Sequence, residues 1–273
     1  MAITEFQRGI CRLIAGHRVA SGESYVAGGV ALGVVVGASR LSQDVDLFHD
    51  TQEALAFTWE ADRRLLETHG FKIRIVRERP AFVEAIIARD CSQVLLQWTC
   101  DSAYRFFPLV EHPDFGLTLH SFDLATNKVL ALVGRLEPRD WIDLIECHRN
   151  VQPLGYLIWA ACGKDPGWSP ESILNEARRS ARYSQAEIEE LSYEGRPPNA
   201  ANLAAEWRRG LDEAISIHAM LPCDTVGCCI LETSGALFRG PLSELQEQIS
   251  SKGLVFHRGT IRGAWPVIRD LKN

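Results

Sequence analysis

Residues 25–49 read YVAGGVALGVVVGASRLSQDVDLFH, and the Asp44-Val45-Asp46 triplet near their end constrains this chain most. Val45, Leu47 and Phe48 favour extended backbone, so Asp44–Phe48 is expected as a strand. Residues i and i+2 of a strand point to one face, so Asp44 and Asp46 project side by side. Two adjacent carboxylates disfavour double ionisation unless a cation lies between them. Their hard oxygen atoms, and the company of phosphates, suit Mg2+. Upstream, Gly28 and Gly29 carry no side chains, which lets backbone N–H groups approach phosphate oxygens closely. The bland alternative is a buried strand that merely carries an acidic end.

The surrounding pattern alternates helices and strands. Phe6, Ile10, Leu13 and Ile14 sit at helical spacing within 4–18, with Thr4 as cap. Tyr25–Gly37 is expected as a buried turn and a short helix. A helix is expected over Thr51–His69, stopped by Gly70. Phe71–Arg77 alternates as a half-buried strand, Ala81–Ala88 is ambiguous between strand and helix, and Gln93–Cys100 is a further strand with Asp101 at its end. Residues 121–148 read SFDLATNKVLALVGRLEPRDWIDLIECH, two short helices broken at Pro138, with Asp123 available to cap the first. Lys128 and Arg135, seven apart, share a helix face, and Asp140 and Asp143 neighbour each other. Beyond residue 150 the pattern is a helix, a polar helical stretch over Ser172–Glu190, a linker at 195–202 and a helix over Ala204–Ala219. Strand Thr225–Glu232, helix Leu242–Ser251 and strand Leu254–His257 complete it.

The glycine turn followed by Asp-x-Asp resembles the nucleotidyltransferase signature. More narrowly, G-G-V-A-L with S-Q-D-V-D-L-F looks like the AbiEii/AbiGii nucleotidyl transferase toxin family. The resemblance extends over roughly 20–150 and departs at Val30, where many members have Thr. It implies an α/β (α+β) fold: a nucleotidyltransferase-like mixed sheet with flanking helices, a helical middle region and a small α/β C-terminal appendage. It implies transfer of NMP from an NTP to an acceptor hydroxyl, with Mg2+ (Mn2+ the alternative) on Asp44, Asp46 and a third acid, Asp101, which is also the candidate base. Gly28, Gly29, Ser42, Lys128 and Arg135 would bind the nucleotide, and Asp143 would orient Lys128. The R-D-x-x-D segment Arg139–Asp143 matches the family. Members include toxins of toxin–antitoxin pairs, and some relatives add nucleotides to tRNA ends. A tRNA acceptor and a cognate antitoxin are therefore expected partners. Other readings stay open: nucleotidylation of a protein or of a small molecule such as an aminoglycoside, an inactive nucleotide-binding or interaction module, or a metal-dependent phosphohydrolase.

At 273 residues the chain suits one large or two modest domains, divided here as 1–150, catalytic, and 151–273. A net charge of −6 argues against a uniformly polyanion-binding surface, though 62–89 carries seven Lys/Arg against four acids and 252–272 five against one. Arg178, Arg179 and Arg182, or Arg258, Arg262 and Arg269, are further basic candidates. The eight cysteines include no CxxC pair, and Cys147-His148 reads as an ordinary helical position. The longest apolar run is too short to cross a bilayer and the N-terminus has no secretion-signal pattern, so a cytoplasmic protein is expected.

Overall fold

A computed structural model of the chain describes residues 3–267. In chain order the elements are α1 (Glu5–Ser21), β1 (Ser24–Ala27), α2 (Gly28–Val36), β2 (Asp44–His49), α3 (Gln52–Thr68), β3 (Lys72–Arg79), β4 (Phe82–Arg89), β5 (Ser92–Cys100), β6 (Tyr104–Arg105), β7 (Val110–His112) and β8 (Gly116–Thr118). Then follow α4 (Ser121–Arg135), α5 (Pro138–Asn150), α6 (Leu154–Ala161), α7 (Pro170–Ala177), α8 (Gln185–Glu189), α9 (Ala200–Met220), β9 (Cys228–Glu232), α10 (Leu242–Ser251), β10 (Leu254–Arg258) and β11 (Thr260–Ile261). They form two compact units. Of the described residues, the first comprises 3–103, 108–120 and 192–195, and the second comprises 104–107, 121–191 and 196–267. The expected boundary at 150 falls inside the second unit, to which α4 and α5 belong.

The first unit is built on a mixed sheet ordered β3-β4-β5-β2-β1-β8-β7. β2 runs parallel to β5 and antiparallel to β1. Its burial alternates strictly: Val45, Leu47 and His49 face the core, and Asp44, Asp46 and Phe48 face the other side. The core face continues through Ala85, Leu96 and Trp98, and Trp98 meets Trp59 of α3 edge-on at 4.7 Å. Helix α1 begins at a capping box, Thr4 with Gln7, and ends at Gly22 in the left-handed conformation. Between α1 and α3 lies a wholly buried ion pair, Arg18 Nη2 to Asp62 Oδ2 at 2.6 Å. Trp98 Nε1 donates to the same Asp62 oxygen at 2.8 Å and His17 Nδ1 lies 2.7 Å from the other.

The second unit is mainly helical. Its core gathers Tyr156, Trp159, Ile217, Leu221, Ile230, Phe238 and Leu245, and α10 with the antiparallel pair β9 and β10 on either side of it in the chain closes over them. Asn199 caps α9, whose start at Ala200 shortens the expected linker. Asp123 does not cap α4. It is fully buried and accepts from the backbone N–H groups of Phe106 and Phe107 at 2.9 and 3.0 Å, with Lys164 Nζ at 2.8 Å. The expected long helix over Ser172–Glu190 is α7, a 3-10 stretch and α8, because Ser184 starts a new capping box with Glu187. The stretch Tyr25–Gly37 contains strand β1 as well as a helix, and the ambiguous 81–88 segment is strand β4. The strand expected over Thr225–Glu232 starts at Cys228, and Thr225 lies in a 3-10 turn. Arg269 lies outside the described residues.

Candidate active site

The expected strand geometry of the acid pair is present: Asp44 and Asp46 lie half-buried on the face of β2 that α1 and α3 leave uncovered. β1 pairs Ala27 with Asp46, so the chain turns into α2 directly beside that carboxylate. Gly28 makes the turn possible in two ways. Its φ of 64° is a left-handed conformation, and a Cβ there would stand 1.7 Å from Asp46 Oδ2. Only a bare Cα lets the N-terminus of α2 approach the carboxylate this closely.

Gly29 sits against a second pair of groups. A Cβ on it would meet Ser42 Oγ at 2.7 Å and Arg40 Nη2 at 2.9 Å. The glycine pair, the serine and a buried guanidinium therefore converge at the start of α2. Gln7 of α1 fixes the approach to β2 by donating its amide to the carbonyls of Ser42 and Gln43, at 2.9 and 3.1 Å. Segment 192–195 holds the same loop from the other side: Leu41 N donates to Ser192 O at 2.9 Å and Glu194 N to Ser39 O at 2.8 Å. Sequence reasoning passed over Arg40 and Gln7. Arg40, two residues before Ser42, was in view; the role of Gln7 depends on a contact across 35 residues.

The structure does not bring Asp101 to the acid pair. β5 runs parallel to β2 with Asp46 opposite Gln97 and His49 opposite Cys100, and Asp101 N donates to His49 O at 3.0 Å. Asp101 thus lies beyond the far end of β2, more than about 10 Å of strand from Asp46. It is exposed, and its carboxylate accepts from Ser102 N at 2.7 Å, the behaviour of an Asp that ends a strand. Among the described residues no three His, Cys, Asp or Glu side chains converge as a metal cluster. The neighbour of Asp46 across the sheet is Gln97, whose Nε2 donates to Glu84 Oε1 on β4 at 2.8 Å. Neither residue was singled out from sequence, because only the strand register reveals them.

In the second unit Lys128 is buried and held between two carboxylates, Asp140 Oδ1 at 3.0 Å and Asp143 Oδ2 at 2.9 Å. Arg135 also reaches Asp140, Nε to Oδ2 at 2.6 Å and Nη2 to Oδ1 at 2.9 Å. Both partners fix its amino group, and the contact with Asp143 is the one the resemblance implies. Burial opposes ionisation of Asp140, yet the Arg135 hydrogen bonds and the Lys128 charge hold its carboxyl below the usual carboxylate range. Arg139 pairs with Glu137 at 2.6 Å. Cys147 is fully buried, its thiol pushed up by desolvation, and His148 Nδ1 accepts from Leu154 N at 3.0 Å. Both are structural.

No family model matches the chain. No curated protein matches it either. Among solved structures it is similar to MenT4, a nucleotidyltransferase toxin from Mycobacterium tuberculosis, at 14% identity over 80% of this chain and 86% of that one, with a TM-score of 0.50. It is also similar to JHP933 from Helicobacter pylori, at 13% identity over 78% of this chain and 93% of that one, with a TM-score of 0.49. The fold it shares with MenT4 is a mixed sheet with flanking helices, nucleotidyltransferase-like in architecture. Among the described residues no helix is long and apolar enough to cross a membrane.

Proposed function

We propose that this chain is a divalent-metal-dependent nucleotidyltransferase that moves NMP from an NTP to an acceptor hydroxyl. The observation that carries the proposal is the close seating of Asp46 against Gly28, with Asp44 on the same face, in a sheet of nucleotidyltransferase fold. In the reaction the α-phosphorus gains a bond to the acceptor oxygen, whose proton passes to water, and loses its bond to the oxygen that bridges to the β-phosphate, so that pyrophosphate leaves.

The residues present fit Mg2+, which is commonly bound by one or two carboxylates together with substrate phosphates. Asp44 and Asp46 would hold it, and Mn2+ would fit the same oxygen ligands. Bound there, the ion would neutralise phosphate charge and lower the barrier to attack. The N–H groups at the start of α2, opened by Gly28 and Gly29, are the phosphate cradle of this reading. Ser42 and Arg40 supply a hydroxyl and a cation at the same turn. By the sequence resemblance Lys128 and Arg135 would bind the nucleotide, and within their own unit Asp140 and Asp143 are the carboxylates that fix Lys128. A fixed cation is the preorganised electrostatics that phosphoryl-type transfer requires. Asp101 is not carried forward as third ligand or base.

A toxin role, with an antitoxin partner and a tRNA end as acceptor, is proposed on the sequence resemblance, and the fold shared with MenT4 is compatible with it. The test supplies wild-type protein with Mg2+ and each labelled ribonucleotide, in total RNA or in total protein. An Asp44→Ala/Asp46→Ala variant runs alongside. Label on RNA from wild type alone supports the reading with an RNA acceptor, and label on protein moves the acceptor to protein. Failure of Mg2+-NTP to bind at all would remove the nucleotidyltransferase reading.

A further inference from the structure

We propose that the edge strand β3 is the acceptor-binding surface of this site, and that its ligand is the phosphate backbone of a nucleic acid. The proposal rests on the nucleotidyl-transfer reading above. β3 carries Lys72, Arg74, Arg77 and Arg79 within eight residues. Side chains alternate along a regular strand, so the 72/74 pair and the 77/79 pair would face opposite ways. They do not, because β3 contains a bulge. Ile75 pairs with Ala85 and Arg77 with Glu84, which makes Val76 an extra residue. Past the bulge the register places Arg77 and Arg79 on the side already taken by Lys72 and Arg74.

That side is the face of the acid pair. One cross-strand row runs Asp44, Leu95, Ile86, Arg74, and the next runs Asp46, Gln97, Glu84, Arg77. Three strand spacings, about 14 Å, separate each acid from the arginine in its row. Side-chain contacts agree with this sidedness. Gln97 bonds Glu84 within the row, whereas Glu78, on the other face, accepts from Trp59 Nε1 of α3 at 3.2 Å.

The four basic side chains are exposed, and none enters an ion pair among the described residues. Arg63 and Arg64 on α3, by contrast, are tied to Glu60 at 2.8 and 2.6 Å. The groups facing the stripe are Glu84, engaged by Gln97, and the Phe82 ring, 5.8 Å from the Arg77 guanidinium. Charge placed only to blunt an edge strand against aggregation has no need of one face. Nor does the chain attract polyanions in general, since its net charge is −6. An acidic protein is the other class of ligand. Nucleic acid is favoured because basic side chains two residues apart, about 6.6 Å, match the interval between successive backbone phosphates. The acceptor must also end at the acid pair on this same face.

The test measures binding of a fluorescent RNA hairpin with a single-stranded 3′ overhang to the full chain over a series of salt concentrations. Wild type is compared with Arg74→Gln/Arg77→Gln/Arg79→Gln, with the corresponding triple Lys variant, and with Arg64→Gln as surface control. The Gln variant is expected to lose at least about tenfold in affinity at low salt. Its log–log salt slope should fall by about 2, at roughly 0.7 per phosphate contact. The Lys variant should retain most of both, and Arg64→Gln all of both. Mg2+-NTP affinity, read in the same preparations, should not change in the Gln variant. Unchanged RNA affinity and slope in that variant would overturn the proposal while leaving nucleotidyl transfer intact. So would absence of RNA binding by wild type, which would pass the stripe to an acidic protein. Loss of NTP binding in the Gln variant would overturn it as well, by locating the defect in the fold.

Discussion

At the scale of single residues, Gly28 and Asp46 behave as one unit. The missing Cβ is what gives the carboxylate its seat, since an added methyl would lie 1.7 Å from Oδ2. Gly28→Ala is therefore expected to cost on the order of 1–2 kcal/mol in stability through its positive φ alone. Transfer should fall about as far as in Asp46→Asn, by a hundredfold or more, because the acid must move. Urea denaturation and initial rates on the same preparations check both halves. A Gly28→Ala enzyme with wild-type rate would separate the two residues. A second residue-scale expectation concerns Asp140, which serves both Lys128 and Arg135 from a fully buried position. Asp140→Ala leaves Lys128 buried with one of its two carboxylates gone, and breaking such a pair costs about 3 kcal/mol or more. Asp143→Asn keeps a polar partner for Lys128 and should cost less. Parallel denaturation midpoints decide, and equal losses would refute this ranking.

At the scale of elements, much of the fold was legible, and the exceptions share a cause. Strand β2 could be read from D-V-D-L-F because its two faces differ in chemistry, α1 and α3 because caps and apolar spacing agree, and α4, α5 and α10 from apolar spacing without a side-chain cap. Strand β1 was hidden because all four of its residues are buried, so Ser24–Ala27 has no alternation to show. The acid pair and the glycine turn were legible as local patterns. Asp101 was not, because a third ligand is defined by register, and the register gives the place beside Asp46 to Gln97. The β2–α3 junction yields a prediction of its own. His49 is buried, its Nε2 2.6 Å from Thr58 Oγ1, and burial, with Arg18 nearby, lowers its pKa to about 4. In the unfolded chain the same ring titrates near its ordinary value of 6.5. The folded form thus binds the proton less well. The stability contribution is complete above pH 6.5, shrinks as pH falls, and is gone below about 4. Its full size is about 3 kcal/mol. Other histidines lowered by burial, among them His148 and His218, slope the same way, so the comparison must be with His49→Gln. Between pH 6.5 and 4.5 the variant should lose less stability than wild type by about 2 kcal/mol. Identical pH profiles would mean that His49 takes up its proton as readily in the fold as in the unfolded chain.

At the scale of the whole molecule, the acid strand is held by parts of the chain remote in sequence. Gln7 of α1 and segment 192–195 both bond the loop at 39–43, so the approach to β2 depends on residues nearly two hundred positions apart. A ligand that binds this loop and the acids should therefore stabilise more than β2 itself. Linkage sets the amount: Mg2+-NTP at a hundred times its dissociation constant adds about 2.7 kcal/mol. For a chain of 273 residues that corresponds to a rise in Tm of at least about 4 °C in a single cooperative transition. Asp44→Ala/Asp46→Ala should show no such rise, because the cation that couples the triphosphate to β2 has lost its ligands. Calorimetry of both proteins with Mg2+ alone, NTP alone and the two together separates the contributions. A rise with NTP alone, equal in both proteins, would mean that the nucleotide binds without the acid pair. The rise confined to wild type with both ligands present is the outcome that ties metal, triphosphate and Asp44/Asp46 into one site.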